Sequence, residues 1–335
     1  MKKFLIAVFL ILVVCFALSA QSVAENKDIK VLLLPKFEVG NMAADAPGEA
    51  QFYYEAYFDG AQSYSLKDGS TLYVKDNMAM CVTGPGKVSA ATAVMAVLTD
   101  PRFDFSNALI ISTGCAGSAP ETTVMGDVFI ATAAVDFDLG HHADPRDMTT
   151  DSITTWFHNS DYDDTAYVIL SSSLTEKAFE LVKDVEVQTT PLTLKYMASG
   201  FDNASWALRK PMVMKGTVCS GDNFFKGEYD LANAHLIVKT YNCPDPLVAG
   251  EMEDVAIGIV LKRLGLLDHY LIIRDSVNML VFMNGATPEN SWTEGIAFFS
   301  EDNTELSDIF NTAMENNFKV GRLIIDAFLD GTLTF

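Results

Sequence analysis

Apolar residues along this chain come in two rhythms. Continuous runs over residues 29–34, 79–82, 109–112, 128–135, 213–219 and 270–274 predict strands, several of them buried on both faces because polar residues do not alternate within them. Between these runs, residues 88–98, 174–183, 229–238, 253–264 and 307–328 repeat apolar positions at helical spacing. Strands that alternate with helices predict a three-layer α/β/α fold around a central mixed, mostly parallel sheet. A polar stretch over residues 138–164 reads as a long excursion, and no repeat or low-complexity linker divides the chain, so residues 25–335 are expected to form a single domain.

The first 24 residues follow a different pattern. Lys2-Lys3, an apolar run over residues 4–18 and then small residues predict a secretory signal, cleaved after Ala20 or after Ala24. The mature chain is therefore expected to be exported, either periplasmic or secreted. The run is shorter than the roughly 20 apolar residues of a spanning helix, and Val14-Cys15 lacks the small residue expected before a lipidated cysteine. No later stretch is apolar for long enough to cross a bilayer as a helix, so no membrane span is expected in the mature chain.

Composition narrows the partners. With 49% hydrophobic and 20% charged residues, 335 residues can bury a large core. The formal net charge of -21 becomes -23 without Lys2 and Lys3, which argues against nucleic acid as a partner. Cys81, Cys115, Cys219 and Cys243 stand at spacings that match no zinc pattern. The first three end apolar runs, where a small buried thiol is the common case. Neither a metal nor an organic cofactor is expected.

In an open α/β sheet the chemistry gathers at the carboxyl ends of the strands. There the chain carries Thr113-Gly114-Cys115-Ala116-Gly117-Ser118, a glycine loop that lets backbone N–H groups approach a ligand. Gly84-Pro85-Gly86-Lys87 feeds a helix N-terminus, a natural anion site that also has a plain reading as a capped turn. Glu251 and Glu253 flank Met252: a carboxylate accepts two hydrogen bonds from neighbouring sugar hydroxyls, although two acids also suit a first helical turn. Arg274 supplies the guanidinium that a buried carboxylate requires. Phe224 and Phe225 offer a flat wall or a core pair, and Asn278 an amide that both donates and accepts.

Taken in order, Gly84-Pro85-Gly86-Lys87, Thr113-Gly114-Cys115-Ala116-Gly117, Gly126-Asp127-Val128, Ser220-Gly221-Asp222, Glu251-Met252-Glu253 and Arg274-Asp275-Ser276-Val277-Asn278 resemble the nucleoside phosphorylase and nucleosidase superfamily. Leu34-Pro35-Lys36-Phe37-Glu38, the region 136–147 and the chain length look more closely like the purine nucleoside permease family. The resemblance implies a nucleoside phosphorylase-like fold, a homo-oligomer and a purine nucleoside as ligand. It implies that Met252 and Glu253 hold the ribose, that Arg274 braces that carboxylate, and that Asn223 and Phe224 line the base site. Asn278 takes the position facing N7 of the purine, and an amide there resembles the 6-oxopurine enzymes, favouring inosine or guanosine over adenosine.

The implied reaction is cleavage of the N-glycosidic bond, with Glu253 and Asn278 as the catalytic residues. Its nucleophile stays open. Ser112 stands where some phosphorylases place an arginine. Gly86, Lys87, Gly114, Cys115 and Ala116 are expected to hold inorganic phosphate as co-substrate, or else Glu38 to orient water. The alternative reading is a non-enzymatic protein that captures nucleosides for uptake. His141 and His142 either reach a neighbouring site in the oligomer or are plain loop residues.

Overall fold

The computed structural model describes residues 26–149, 153–200, 209–287 and 304–335. The expected signal segment lies outside the described residues. The strands of the main sheet are β1 (Val31–Leu34), β2 (Gln62–Ser65), β3 (Thr71–Lys75), β4 (Met78–Cys81), β5 (Leu109–Ser118), β6 (Val128–Asp136), β7 (Tyr167–Ile169), β8 (Val213–Ser220), β9 (Leu247–Glu251) and β10 (Tyr270–Met279). The longer helices are α1 (Lys87–Leu98), α2 (Ser172–Val182), α3 (Pro191–Ser199), α4 (Glu228–Thr240), α5 (Asp254–Leu264) and α6 (Thr304–Leu329).

The sheet runs β7-β6-β8-β9-β5-β1-β4-β3-β2, and β10 pairs with both β5 and β6. That double pairing closes β5, β10, β6, β8 and β9 into a ring, while β1 to β4 continue as an open sheet. The sheet is mixed, as the sequence predicts. β10 runs parallel to β5, β8 runs parallel to both β6 and β9, and β1 runs parallel to β4 and β5. The antiparallel pairings lie in the β2-β3-β4 meander, at β7, and where β9 and β10 close the ring.

Burial explains which strands the apolar pattern reveals. Every residue of β1, β4 and β6 is buried, as expected of strands covered on both faces. β3 instead alternates between half-buried and buried positions, and β2 is almost wholly exposed, so neither forms an apolar run. Two apolar cores flank the sheet. One packs α1 and α5 through residues such as Val94, Val255 and Leu261, and the other packs α2 and α6 through Leu174, Val320 and Ile324. Every expected helix is present within a few residues of its predicted ends.

Ring closure decides where the chemistry lies. It draws the ends of β5, β9 and β10 together, so that Gly117 pairs with Gly250 on one side and with Asn278 on the other. Glycine is required in that seam: a side chain at Gly117 would lie 2.8 Å from Leu280 and 3.1 Å from Oδ1 of Asn278. Among the described residues no helix is long and apolar enough to cross a membrane.

Candidate active site

A buried charge cluster forms where α5 leaves β9. Glu251 ends the strand, Glu253 takes the N-cap position and Asp254 begins the helix. Glu251 Oε2 accepts the backbone N–H groups of Glu253 at 2.6 Å and Asp254 at 2.8 Å, so this carboxylate satisfies donors that a helix start leaves open. The Ser220 hydroxyl donates to its other oxygen. Arg274, 1% exposed, reaches in from β10. Its Nη2 lies 3.1 Å from Glu251 and 2.9 Å from Glu253, and its Nε and Nη2 grip Asp254 at 2.9 Å each. Nη1 donates to the Cys115 carbonyl at 3.0 Å, tying the cluster to β5.

Three carboxyls around one guanidinium share its charge unequally. Burial alone would raise Asp254, but the Arg274 charge and its paired hydrogen bonds hold it below the usual carboxylate range. Glu251 is pushed up to about 7, by burial first and then by the neighbouring Asp254 charge. Arg274 thus pairs with Glu253, and it also carries Glu251 and Asp254. Met252 sits half-buried between the two glutamates.

The site expected to hold phosphate or water divides into two places. Gly86 donates its N–H to Glu253 Oε1 at 2.9 Å, and Lys87 donates its N–H to Asp222 at 2.7 Å. The Lys87 ammonium lies against Asp136 and Asp138. Gly114 and Cys115 stand elsewhere, against a carboxylate that the sequence reading missed. Glu49 Oε1 accepts the Cys115 N–H at 2.9 Å, and its Oε2 accepts the Lys36 N–H at 2.7 Å. Ala116 is buried in the strand beyond.

Gly114 makes this approach possible. It takes a φ of +149°, and a side chain there would collide with the Glu49 carboxylate. Burial raises the Glu49 pKa, which Arg274 and Lys36 partly offset.

Neither Glu38 nor Lys36 is a free group. The Glu38 carboxylate accepts the N–H groups of Val39 and Ala50 at 2.9 Å each, together with that of Gly48, and so closes its own loop. Lys36 offers no free ammonium either. It is 2% exposed, and Nζ donates to the Leu34 carbonyl at 2.6 Å, the Ser112 hydroxyl at 2.6 Å and the Thr113 carbonyl at 3.1 Å. Three donors meet three acceptors. The Ser112 hydroxyl in turn donates to Asp254, linking the lysine to the arginine cluster.

Of the residues expected at a base site, Asn278 is half-buried at the end of β10, opposite Gly117. Asn223 and Phe224 follow β8 in an exposed loop, with the Asn223 amide N–H donating to Asp138 at 2.8 Å. Phe225, not Phe224, forms the buried wall, stacked on Phe137 with ring centroids 4.2 Å apart. Gly250 gives it room, since a side chain there would lie 2.7 Å from the Phe225 ring.

Asp275, next to Arg274, is completely buried, and neither carboxyl oxygen has a hydrogen-bond partner among the described residues. Burial first, and then the nearby Glu49 charge, hold its pKa well above the usual carboxylate range. His142 touches the Phe137 carbonyl at 3.0 Å, and His141 pairs with Phe157 in a short ribbon. The described residues contain no cluster of acids, histidines or cysteines suited to a metal ion.

The profile of the family described as "Purine nucleoside permease (NUP)" matches residues 28–333. Among curated proteins, a "Probable purine nucleoside permease" of Schizosaccharomyces pombe is 28% identical over 164 residues, which is 44% of this chain and 47% of that protein. A "Purine nucleoside permease" of Candida albicans is 25% identical over 47% of this chain and 42% of its own length. The match thus spans less than half the length of either relative.

Solved structures resemble the fold. A 5'-methylthioadenosine/S-adenosylhomocysteine nucleosidase from Neisseria meningitidis aligns with a TM-score of 0.55 at 18% identity, covering 89% of this chain and 99% of that one. A futalosine hydrolase from Helicobacter pylori aligns at 0.53 and 15% identity, covering 89% and 97%.

Proposed function

We propose, for a chain that belongs to the purine nucleoside permease family, that it binds purine nucleosides and cleaves their N-glycosidic bond with water. The observation that carries this reading is Glu49. A carboxylate already takes the backbone N–H of Cys115, the donor that a phosphate would use. The cations beside it are committed: Lys36 to three neutral oxygens and Arg274 to three carboxylates. Phosphate would enter against negative charge with no free cation beside Glu49 among the described residues, whereas water needs only an acceptor for its proton.

In this reading Glu253 grips the ribose hydroxyls and Met252 packs beside the sugar. As the bond from the anomeric carbon to the base lengthens, positive charge develops on the sugar, and the surrounding carboxylates favour it. Water then forms the new C–O bond and passes its proton to Glu49, whose raised pKa makes it a stronger base than an exposed glutamate. The base departs with the bonding electron pair. Asn278 supports it by hydrogen bonding, and solvent supplies the proton that completes the free purine. The amide at position 278 favours inosine or guanosine over adenosine. The amino-terminal pattern of Lys2-Lys3 and an apolar run supports action outside the cytoplasm.

Capture without cleavage is the second reading, supported by the word permease in the names of the curated relatives. Incubation of the purified protein with inosine, guanosine and adenosine, followed by chromatography, separates the two. Free base and free sugar support the enzyme. Nucleoside binding with no base released after prolonged incubation supports capture.

A further inference from the structure

Lys87 was expected to meet an anion, and the anions it meets belong to the protein itself. Its ammonium lies 2.7 Å from Asp136, 2.8 Å from Asp138 and 3.9 Å from Asp222. Its backbone N–H holds Asp222 Oδ1 at 2.7 Å, while the preceding N–H, that of Gly86, holds Glu253 Oε1 at 2.9 Å. Asp138 completes the link by accepting the Asp222 N–H at 2.7 Å and the Asn223 amide at 2.8 Å. Two consecutive N–H groups of one turn therefore fasten the sugar-gripping carboxylate and the loop that carries Asn223 and Phe224. Gly86 permits the turn with a φ of +84°, and a side chain there would press on Asp222 at 3.1 Å.

We propose that Lys87 is a positioning residue that locks the base-side loop to Glu253, so that the two halves of a purine nucleoside are met in one fixed geometry. The inference rests on nucleoside binding at this site, and not on cleavage. The ammonium neutralises Asp136, which is 4% exposed, and draws Asp138 toward the loop. Without it, Asp136, Asp138 and Asp222 repel one another, and the loop keeps only the Lys87 backbone N–H as its tie to this turn. The consequence falls on binding. The groups proposed to take part in bond cleavage, Glu49, Glu253 and Asn278, keep their own backbones and partners.

The test compares Lys87→Met, Lys87→Arg and Asp222→Ala with the parent protein, measuring kcat and KM for inosine, or Kd by calorimetry if no base is released. Lys87→Met should raise KM or Kd about tenfold with kcat within about threefold, the signature of lost ground-state binding. Lys87→Arg keeps the charge and should stay within about threefold of the parent. Lys87→Met leaves Asp136 buried without its cation and can fail to fold. Asp222→Ala removes a half-exposed partner instead, and should raise KM or Kd at least about threefold with an unchanged melting temperature.

Parent-like KM or Kd in Asp222→Ala and in folded Lys87→Met overturns the proposal and leaves nucleoside binding standing. A fall in melting temperature with unchanged KM would make Lys87 purely structural and also overturns it. Failure of the parent protein itself to bind or cleave any purine nucleoside removes both this proposal and the proposed function.

Discussion

The backbone N–H of Cys115 donates to Oε1 of Glu49 at 2.9 Å, across a glycine whose missing side chain makes the approach possible. This contact fills the glycine loop with a carboxylate. It turns a question that the sequence leaves open, water or phosphate, into one with a structural argument. Glu49→Gln keeps the size of the side chain and removes the base. Its kcat for inosine should fall by roughly 10²–10⁴ with far-ultraviolet circular dichroism unchanged. Activity within threefold of the parent would remove Glu49 from the mechanism.

Gly114→Ala tests the same contact from the other side. The added methyl meets the Glu49 carboxylate, and the left-handed φ of +149° disfavours it as well. Activity should fall by at least about tenfold and stability by roughly 1–3 kcal/mol in urea titration, the cost of a residue forced into a sparsely populated conformation. A fully active and equally stable variant would show that Glu49 need not sit there.

Glu253→Ala and Asn278→Ala separate sugar binding from support of the leaving base. Both should fold, because Glu251 retains the helix-start hydrogen bonds and Arg274 retains Asp254. Loss of base release is the expected outcome in each, read by chromatography on variants with parent-like melting curves. Full activity in either one excludes that residue from the reaction.

Glu251 gives the fold a pH signature. Its folded pKa is raised from 4.5 to about 7, by burial and then by Asp254, so the folded state binds a proton that the unfolded state releases. Stability from this group is fully present below about pH 4.5 and is lost as pH rises toward 7. Glu251→Gln cannot ionise. The difference in unfolding free energy between variant and parent should therefore shift in favour of the variant between pH 4.5 and 7, by roughly 1–3 kcal/mol. A difference that stays constant over that window contradicts the assignment.

Much of this architecture could be read from the chain because burial on both faces writes itself as continuous apolar runs. β1, β4, β6 and the parallel part of β10 were visible for that reason, and α5 began within one residue of its expected start. β2 and β3 were not, because their exposed or alternating residues carry no such run.

The site was legible where its residues lie next to one another. Glu251, Met252 and Glu253 announced a carboxylate cluster, and Arg274 its cation. Asp254, which takes the paired grip of the guanidinium, stood in the same segment but gave no sign of being the preferred partner. Glu49 arrives from a loop 13 residues beyond Lys36, held there by Lys36's own backbone N–H, and no spacing rule connects it to Cys115. The nearer Glu38 was the natural choice, and the loop that it closes is what delivers Glu49.

The central claim is that water, and not phosphate, attacks the sugar. The most direct measurement incubates the purified protein with inosine with and without inorganic phosphate, and identifies the sugar product. Free ribose at the same rate in both, with no ribose 1-phosphate, is the predicted result. Ribose 1-phosphate formed only when phosphate is present would contradict it.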